Sequence, residues 1–149
     1  MEILKRSILS RSSHTGEEFK AQRREMIEEW LKEYKIKNYT INDDFTIDVD
    51  GSIDLFFSKD LSEFPDYIQF GVVKGFFKCI HSQLTSLRGC PRKIEKFFDC
   101  RYNKLTSLEG APEEVVGDFV CSYNKIQFTE EDVRKVCEVK GSILTGLFI

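Results

Sequence analysis

Five cysteines, two histidines and a scatter of aspartates are the residues of this 149-residue chain whose types could carry chemistry. Cys79, Cys100 and Cys121 recur at a step of 21 residues, each two positions after a phenylalanine (Phe77, Phe98, Phe119). Thiols so aligned would stack on one side of the chain, as a metal ladder or a redox relay would require. No C-x-x-C or His-x-x-x-His spacing accompanies them, so zinc ligation lacks support, and the plainer reading is a small, readily buried side chain in a tight coil. Cys90 and Cys137 lie outside the column and read as packing residues. His14 and His81 have neither an adjacent nucleophile nor a carboxylate partner in sequence, so acid–base catalysis rests on nothing positive. Asp48, Asp50 and Asp54 are spaced like the opening of a calcium loop, but Gly51 comes too early and no glutamate stands at the closing position. Gly71, Gly75, Gly89, Gly110 and Gly117 read as turn residues, and none opens a phosphate-cradling loop. The expectation is a non-enzymatic chain with no metal and no cofactor.

The register around the cysteines organises the rest. Leu84, Leu105 and Ile126 agree, as do Leu87 with Leu108, Gly89 with Gly110, Pro91 with Pro112, and Ile94 with Val115. The clearest unit reads Phe98, Cys100, Asn103, Leu105, Leu108: strand residues, a turn, then a returning arc. Asn103 and Asn124 share a position that Ser82 holds in the earlier copy, where the rung should be weaker. Residues 56–65 form a divergent first coil, with Phe56, Leu61 and Phe64 lying 23 residues ahead of Cys79, Leu84 and Leu87. Leu55 competes with Phe56 as its inward group, and a slip of one residue reverses the faces.

A stack of coils needs covered ends. Thr15 and Glu18 form a capping-box pattern, and Phe19, Met26, Ile27, Trp30, Leu31 and Tyr34 recur at helical spacing, which predicts an amphipathic helix from about 16 to 36. Ile47 and Val49, then Ile53 and Leu55, flank Asp50-Gly51 as a hairpin would. Both are assigned to one end. At the other, Thr129 to Asp132 opens a short helix to about Glu138, with Val133 and Val136 inward and Gly141 as its stop. Residues 143–149 are an apolar tail that either packs on this cap or docks elsewhere, and residues 1–14 read as a frayed basic start.

Charge narrows the partners. With 22 basic against 25 acidic residues the net charge is -3, which excludes the whole-chain footprint of a nucleic-acid or anionic-membrane binder. No window approaches the ~20 apolar residues of a membrane span, and Met1 to Ser10 lacks the order of a secretory signal. An odd number of cysteines without a signal implies reduced thiols, and the chain reads as cytoplasmic.

The pattern LxLxxNxLxxL resembles the leucine-rich repeat, with Phe77 and Cys79, Phe98 and Cys100, Phe119 and Cys121 at the strand leucines. Leu84-Thr85-Ser86-Leu87-Arg88-Gly89-Cys90-Pro91 and Leu105-Thr106-Ser107-Leu108-Glu109-Gly110-Ala111-Pro112 look like small repeat proteins encoded by large tailed bacteriophages. The resemblance covers residues 56–128 and implies an α+β (α/β solenoid) stack of about 3–4 coils, with residues 15–55 as helix and hairpin cap and 129–149 as helical cap. It also implies that the asparagines turn inward and bond neighbouring backbone. The functional expectation is a phage accessory module that binds and modulates a bacterial host protein through the strand face. Alternation places Phe76, Lys78, Ile80 and His81 outward, then Phe97, Asp99, Arg101 and Tyr102, then Val120, Ser122 and Tyr123. Phe76 beside Phe97, and His81 beside Tyr102 and Tyr123, would form an aromatic strip suited to a protein interface, unless the caps cover it. Two alternatives remain. One is a nucleic-acid-associated regulator using Lys5, Arg6, Arg11, Arg23 and Arg24, and the other is a homo-oligomer joined through Trp30 or the tail.

Overall fold

The computed structural model describes residues 15–56, 58 and 60–146. The expected frayed start at 1–14 lies outside the described residues, as do residues 147–149 of the tail. The chain divides into two compact units, Met1–Lys37 and Asn38–Ile149.

In the first unit, helix α1 (Gly16–Glu33) opens on the expected capping box: the Thr15 hydroxyl accepts from the Glu18 N–H, and the Glu18 carboxylate accepts from the Thr15 N–H. Met26, Ile27, Trp30 and Leu31 are its buried side chains, four of the six stripe positions read from the sequence, while Phe19 and Tyr34 are half-buried. The helix stops before residue 36 because Lys35 turns left-handed (φ 58°) and the Ile36 N–H folds back to the Leu31 carbonyl at 2.8 Å.

The second unit is a β-solenoid of about four coils whose strands lie in two sheets. Strand β1 (Tyr39–Ile41) pairs antiparallel with β2 (Ile47–Val49), closing a hairpin around Asn42 to Thr46. The hairpin expected across Asp50-Gly51 does not form. β2 and β3 (Ile53–Asp54) belong to different sheets, β2 running parallel to β4 (Phe70–Val73) and β3 parallel to β5 (Phe77–Lys78). Gly51, at φ 152°, turns a corner between the sheets instead of reversing the chain within one. The corner recurs through β6 (Lys93–Ile94) into β7 (Phe98–Asp99), and through β8 (Glu114–Val115) into β9 (Phe119–Val120). Each coil therefore carries two short strands, where the repeat alone suggested one.

The C-terminal segment continues the stack. Helix α2 (Glu130–Arg134) is capped by Thr129 and Asp132 as expected, but it ends at Lys135, leaving Val133 buried and Val136 43% exposed. Cys137 takes the inward place expected of Val136. Gly141 does not stop the helix; it is the last corner, between β10 (Glu138–Val139) and β11 (Ile143–Leu144), which pair parallel with β8 and β9. The start of the apolar tail is thus a strand of the stack. Five corners result: Val49 to Ile53, Val73 to Phe77, Ile94 to Phe98, Val115 to Phe119 and Val139 to Ile143.

At these corners the coils touch backbone to backbone. The N–H of Gly75 donates to Gly51 O (2.8 Å), Lys96 to Gly75 (3.2 Å), Gly117 to Lys96 (3.0 Å) and Gly141 to Gly117 (3.2 Å). Gly71, expected in a turn, lies inside β4, packed against the Asp48 carboxylate that accepts from the Val72 N–H. Inside the coils Phe70, Phe77, Phe98 and Phe119 are fully buried, with Phe77 and Phe98 centroids 6.0 Å apart and Phe98 and Phe119 5.0 Å apart. The first-coil register also settles: Leu55 is 2% exposed and inward, and Phe56 is 49% exposed.

A Cβ on Gly117 would stand 2.7 Å from the Lys96 carbonyl carbon and oxygen and 2.9 Å from the Phe97 nitrogen, all backbone atoms. Gly117→Ala should therefore lower unfolding free energy by about 1–3 kcal/mol in urea titration. Gly16→Ala, with nothing within 4 Å, should leave the midpoint level or raised. Equal midpoints for both variants would refute the corner as a close-packing constraint.

Candidate functional site

As each coil leaves its second-sheet strand, the backbone turns sharply at His81 (φ 55°), Tyr102 (φ 55°) and Tyr123 (φ 59°). The left-handed region costs an L-residue with a bulky side chain roughly 1–2 kcal/mol. The following residue explains how the turn is held. Asn103 Oδ1 accepts from the Ser82 and Leu84 N–H groups of the preceding coil (both 3.0 Å), and its Nδ2 donates to the carbonyls of Cys79 (2.7 Å) and Cys100 (3.1 Å). Asn124 repeats this with the Leu105 N–H and the carbonyls of Cys100 and Cys121. At the earlier rung the Ser82 hydroxyl donates to the Leu55 carbonyl at 2.7 Å and offers no amide, which is the weaker rung expected from its shorter side chain.

This turn projects the aromatic side chains into line. The rings of His81 and Tyr102 stack at 4.4 Å and 10°, those of Tyr102 and Tyr123 at 4.4 Å and 5°, and Phe56 meets His81 edge-on at 5.8 Å. Tyr102 is 40% exposed. Desolvation first, then the adjacent Tyr102 phenol, hold the Tyr123 hydroxyl above its ordinary pKa. At the other end of the strands Phe76 and Phe97 stack at 4.9 Å and 12°, half-buried, and the Lys78 ammonium sits over both rings at 4.9 and 5.6 Å. Both aromatic pairings anticipated from the repeat are present.

Four other expected contact residues are not available on the surface. Asp99, Ile80, Val120 and Ser122 are all buried. The pleat does direct them away from the core, but outward direction is not exposure. Asp99 and Arg101, two residues apart on one side of the strand, close on each other: the Arg101 Nε donates to both carboxylate oxygens (3.0 and 3.1 Å) and its Nη2 to one (2.9 Å). The guanidinium covers the carboxylate and stays partly exposed itself. Ile80 and Ser122 flank Arg101 on neighbouring rungs, where the Ser122 carbonyl accepts from the Tyr102 N–H and the Arg101 carbonyl from the His81 N–H, and Val120 is paired in register with both Asp99 and Leu144. The Ser122 hydroxyl has no hydrogen-bond partner among the described residues.

Two residues that sequence reasoning passed over belong to this face. Lys104 and Lys125 follow the asparagines, are exposed, and stand in register on successive coils, with Lys104 Nζ 3.4 Å from Gln83 Oε1 of the coil before. The signal was in plain sight: Ile80-His81-Ser82-Gln83, Arg101-Tyr102-Asn103-Lys104 and Ser122-Tyr123-Asn124-Lys125 contain no acid.

The thiol column faces inward. Burial pushes Cys79, Cys90 and Cys100 well above the ordinary thiol range, Cys121 up to about 12 and Cys137 to about 11. The Cys79 and Cys100 thiols donate to the Asp99 and Val120 carbonyls of the next coil. Among the described residues no group of three or more His, Cys, Asp or Glu could hold a metal ion, and no helix is long and apolar enough to cross a membrane. No protein-family model, curated protein or solved structure matches the chain.

Asn103→Ala leaves two buried N–H groups unpaired and should cost about 3 kcal/mol in urea unfolding, more than Asn124→Ala at its half-buried rung. Equal costs would remove the ladder from this account. The folded state holds the thiol protons more tightly than the unfolded chain, so stability is complete below the unfolded thiol pKa of about 8.5 and declines as pH rises beyond it. Iodoacetamide at pH 8.5 should modify far less than one thiol per native chain, and all five cysteines in guanidinium. Rapid native labelling of the Cys79, Cys100, Cys121 column would contradict its structural role.

Proposed function

We propose that this chain is a non-enzymatic protein-interaction module of leucine-rich-repeat type, of the kind that large tailed bacteriophages encode. It binds and modulates a bacterial host protein through the face centred on Tyr102. The observation that carries this reading is the ring ladder of His81, Tyr102 and Tyr123, held in left-handed backbone where glycine or asparagine would sit more cheaply. Stacking contributes about 0.5–1.5 kcal/mol per pair, close to what the backbone loses. The ladder is therefore nearly neutral for folding, and backbone outliers of this kind concentrate at functional sites. Aromatic and arginine side chains held rigid in advance lose little entropy on binding, which suits Tyr102 and the carboxylate-clamped Arg101 to anchoring a partner.

Removing Arg101 alone would strand the buried Asp99 carboxylate and confuse binding with stability. The cleaner probe is Tyr102→Asn, which suits the left-handed backbone while deleting the ring. Affinity capture from a bacterial lysate should recover a partner with the wild-type chain and at least tenfold less of it with Tyr102→Asn. Undiminished recovery would sink this choice of face.

A further inference from the structure

We infer that the partner surface met by this face is an acidic polypeptide segment, which rests on the interaction reading above and specifies its chemistry. The cations of the coils differ in how they are satisfied. Arg88 meets Glu109 at 2.9 Å and Lys140 meets Glu114 at 3.2 Å, whereas Lys104 and Lys125, like Lys74, Lys78 and Lys96, form no ion pair among the described residues, and they alone of these stand in register on successive coils. They lie one coil apart, about 4.8 Å along the stack, each following a ladder asparagine and bonded through its N–H to the coil before it, and the three segments around the ladder carry no carboxylate. Arg101 donates to Asp99 through Nε and Nη2 only, so its Nη1 is turned to no acceptor among the described residues. A net charge of -3 for the whole chain makes this basic strip a local exception, of the kind that steers an oppositely charged partner into register.

The same geometry favours carboxylates over nucleic acid. Single-stranded nucleic acid is bound by aromatic rings that offer their faces to bases. Here the faces of Tyr102 are covered by His81 and Tyr123 at 4.4 Å on either side. What the ladder presents is ring edges, with an exposed lysine two residues after each tyrosine, which suits carboxylates spaced along a peptide. Two lysines and one already-neutralised arginine are also a small footprint for a polyphosphate.

The probe is a fluorescein-labelled decaglutamate peptide, with labelled decathymidylate as the competing class, followed by anisotropy at low and moderate salt. Decaglutamate should bind the full-length protein in a salt-sensitive manner. Its affinity should fall about tenfold in Lys104→Glu/Lys125→Glu and stay unchanged in Lys96→Glu, an exposed corner lysine. Lys104→Gln/Lys125→Gln serves if the reversal impairs folding. No decaglutamate binding, an equal loss in Lys96→Glu, or decathymidylate binding as tight as decaglutamate would each overturn the assignment. The same variants go through the lysate capture: a partner lost with Tyr102→Asn but retained by the lysine variants overturns only the acidic chemistry, and one retained by every variant overturns the face itself.

Discussion

Everything in the second unit depends on how closely one coil can lie on the next. At the corners the backbones approach until an N–H of each coil reaches a carbonyl of the coil before it, a chain of bonds running from Gly51 through Gly75, Lys96 and Gly117 to Gly141. A Cβ at Gly75, Gly117 or Gly141 would come within 2.7 Å of the preceding coil's backbone, which is why glycine holds these corners, whereas Gly51 has open space beside it and is glycine for its φ of 152°; Lys96 holds the fifth corner. With the corner pinned, the strands on either side fall into parallel register, Phe77 on Phe98 on Phe119 in one sheet and Ile94 on Val115 on Val139 in the other.

The asparagine ladder does the corresponding work where the chain leaves the second sheet. Backbone groups that turn away from a strand must find partners, and Asn103 and Asn124 supply them from the neighbouring coil. The price is a left-handed residue immediately before each asparagine. Those residues are Tyr102 and Tyr123, with His81 in the same conformation before Ser82, so one backbone solution both closes the coil and lifts a row of rings onto the surface. The cysteines, two residues earlier, face the other way and serve as small buried spacers with suppressed acidity. The feature most suggestive of chemistry is thus the least available for it.

Much of this was legible in order along the chain. The step of 21 residues, the asparagine positions and both aromatic pairings follow from strand alternation applied to an internal repeat. The misreadings share one cause. Asp50-Gly51 flanked by apolar alternation is a local hairpin signal, and Val136 and Gly141 are local helix signals, but the register of Gly51 with Gly75 and of Gly141 with Gly117 is a signal between coils. Only the five corners compared with one another, Val-x-Gly-x-Ile through Val-x-Gly-x-Phe, reveal that the hairpin and the C-terminal tail are the first and last rungs of the stack. The steps of 24 residues that bracket the two steps of 21, from Val49 to Val73 and from Val115 to Val139, hid them.

The sequence by itself determined which residues recur and which way each points, because a repeat whose units bury the same positions leaves alternation no freedom. It could not determine which outward residues remain in contact with solvent. Asp99 points away from the core as surely as Tyr102 does, yet it is buried, because Arg101 two residues on has a side chain long enough to fold back and cover it. Direction is a property of the backbone and is written in the spacing. Exposure depends on where neighbouring side chains come to rest, and only the tertiary structure decided that Lys104, Tyr102 and Lys125 stay exposed while Asp99 does not.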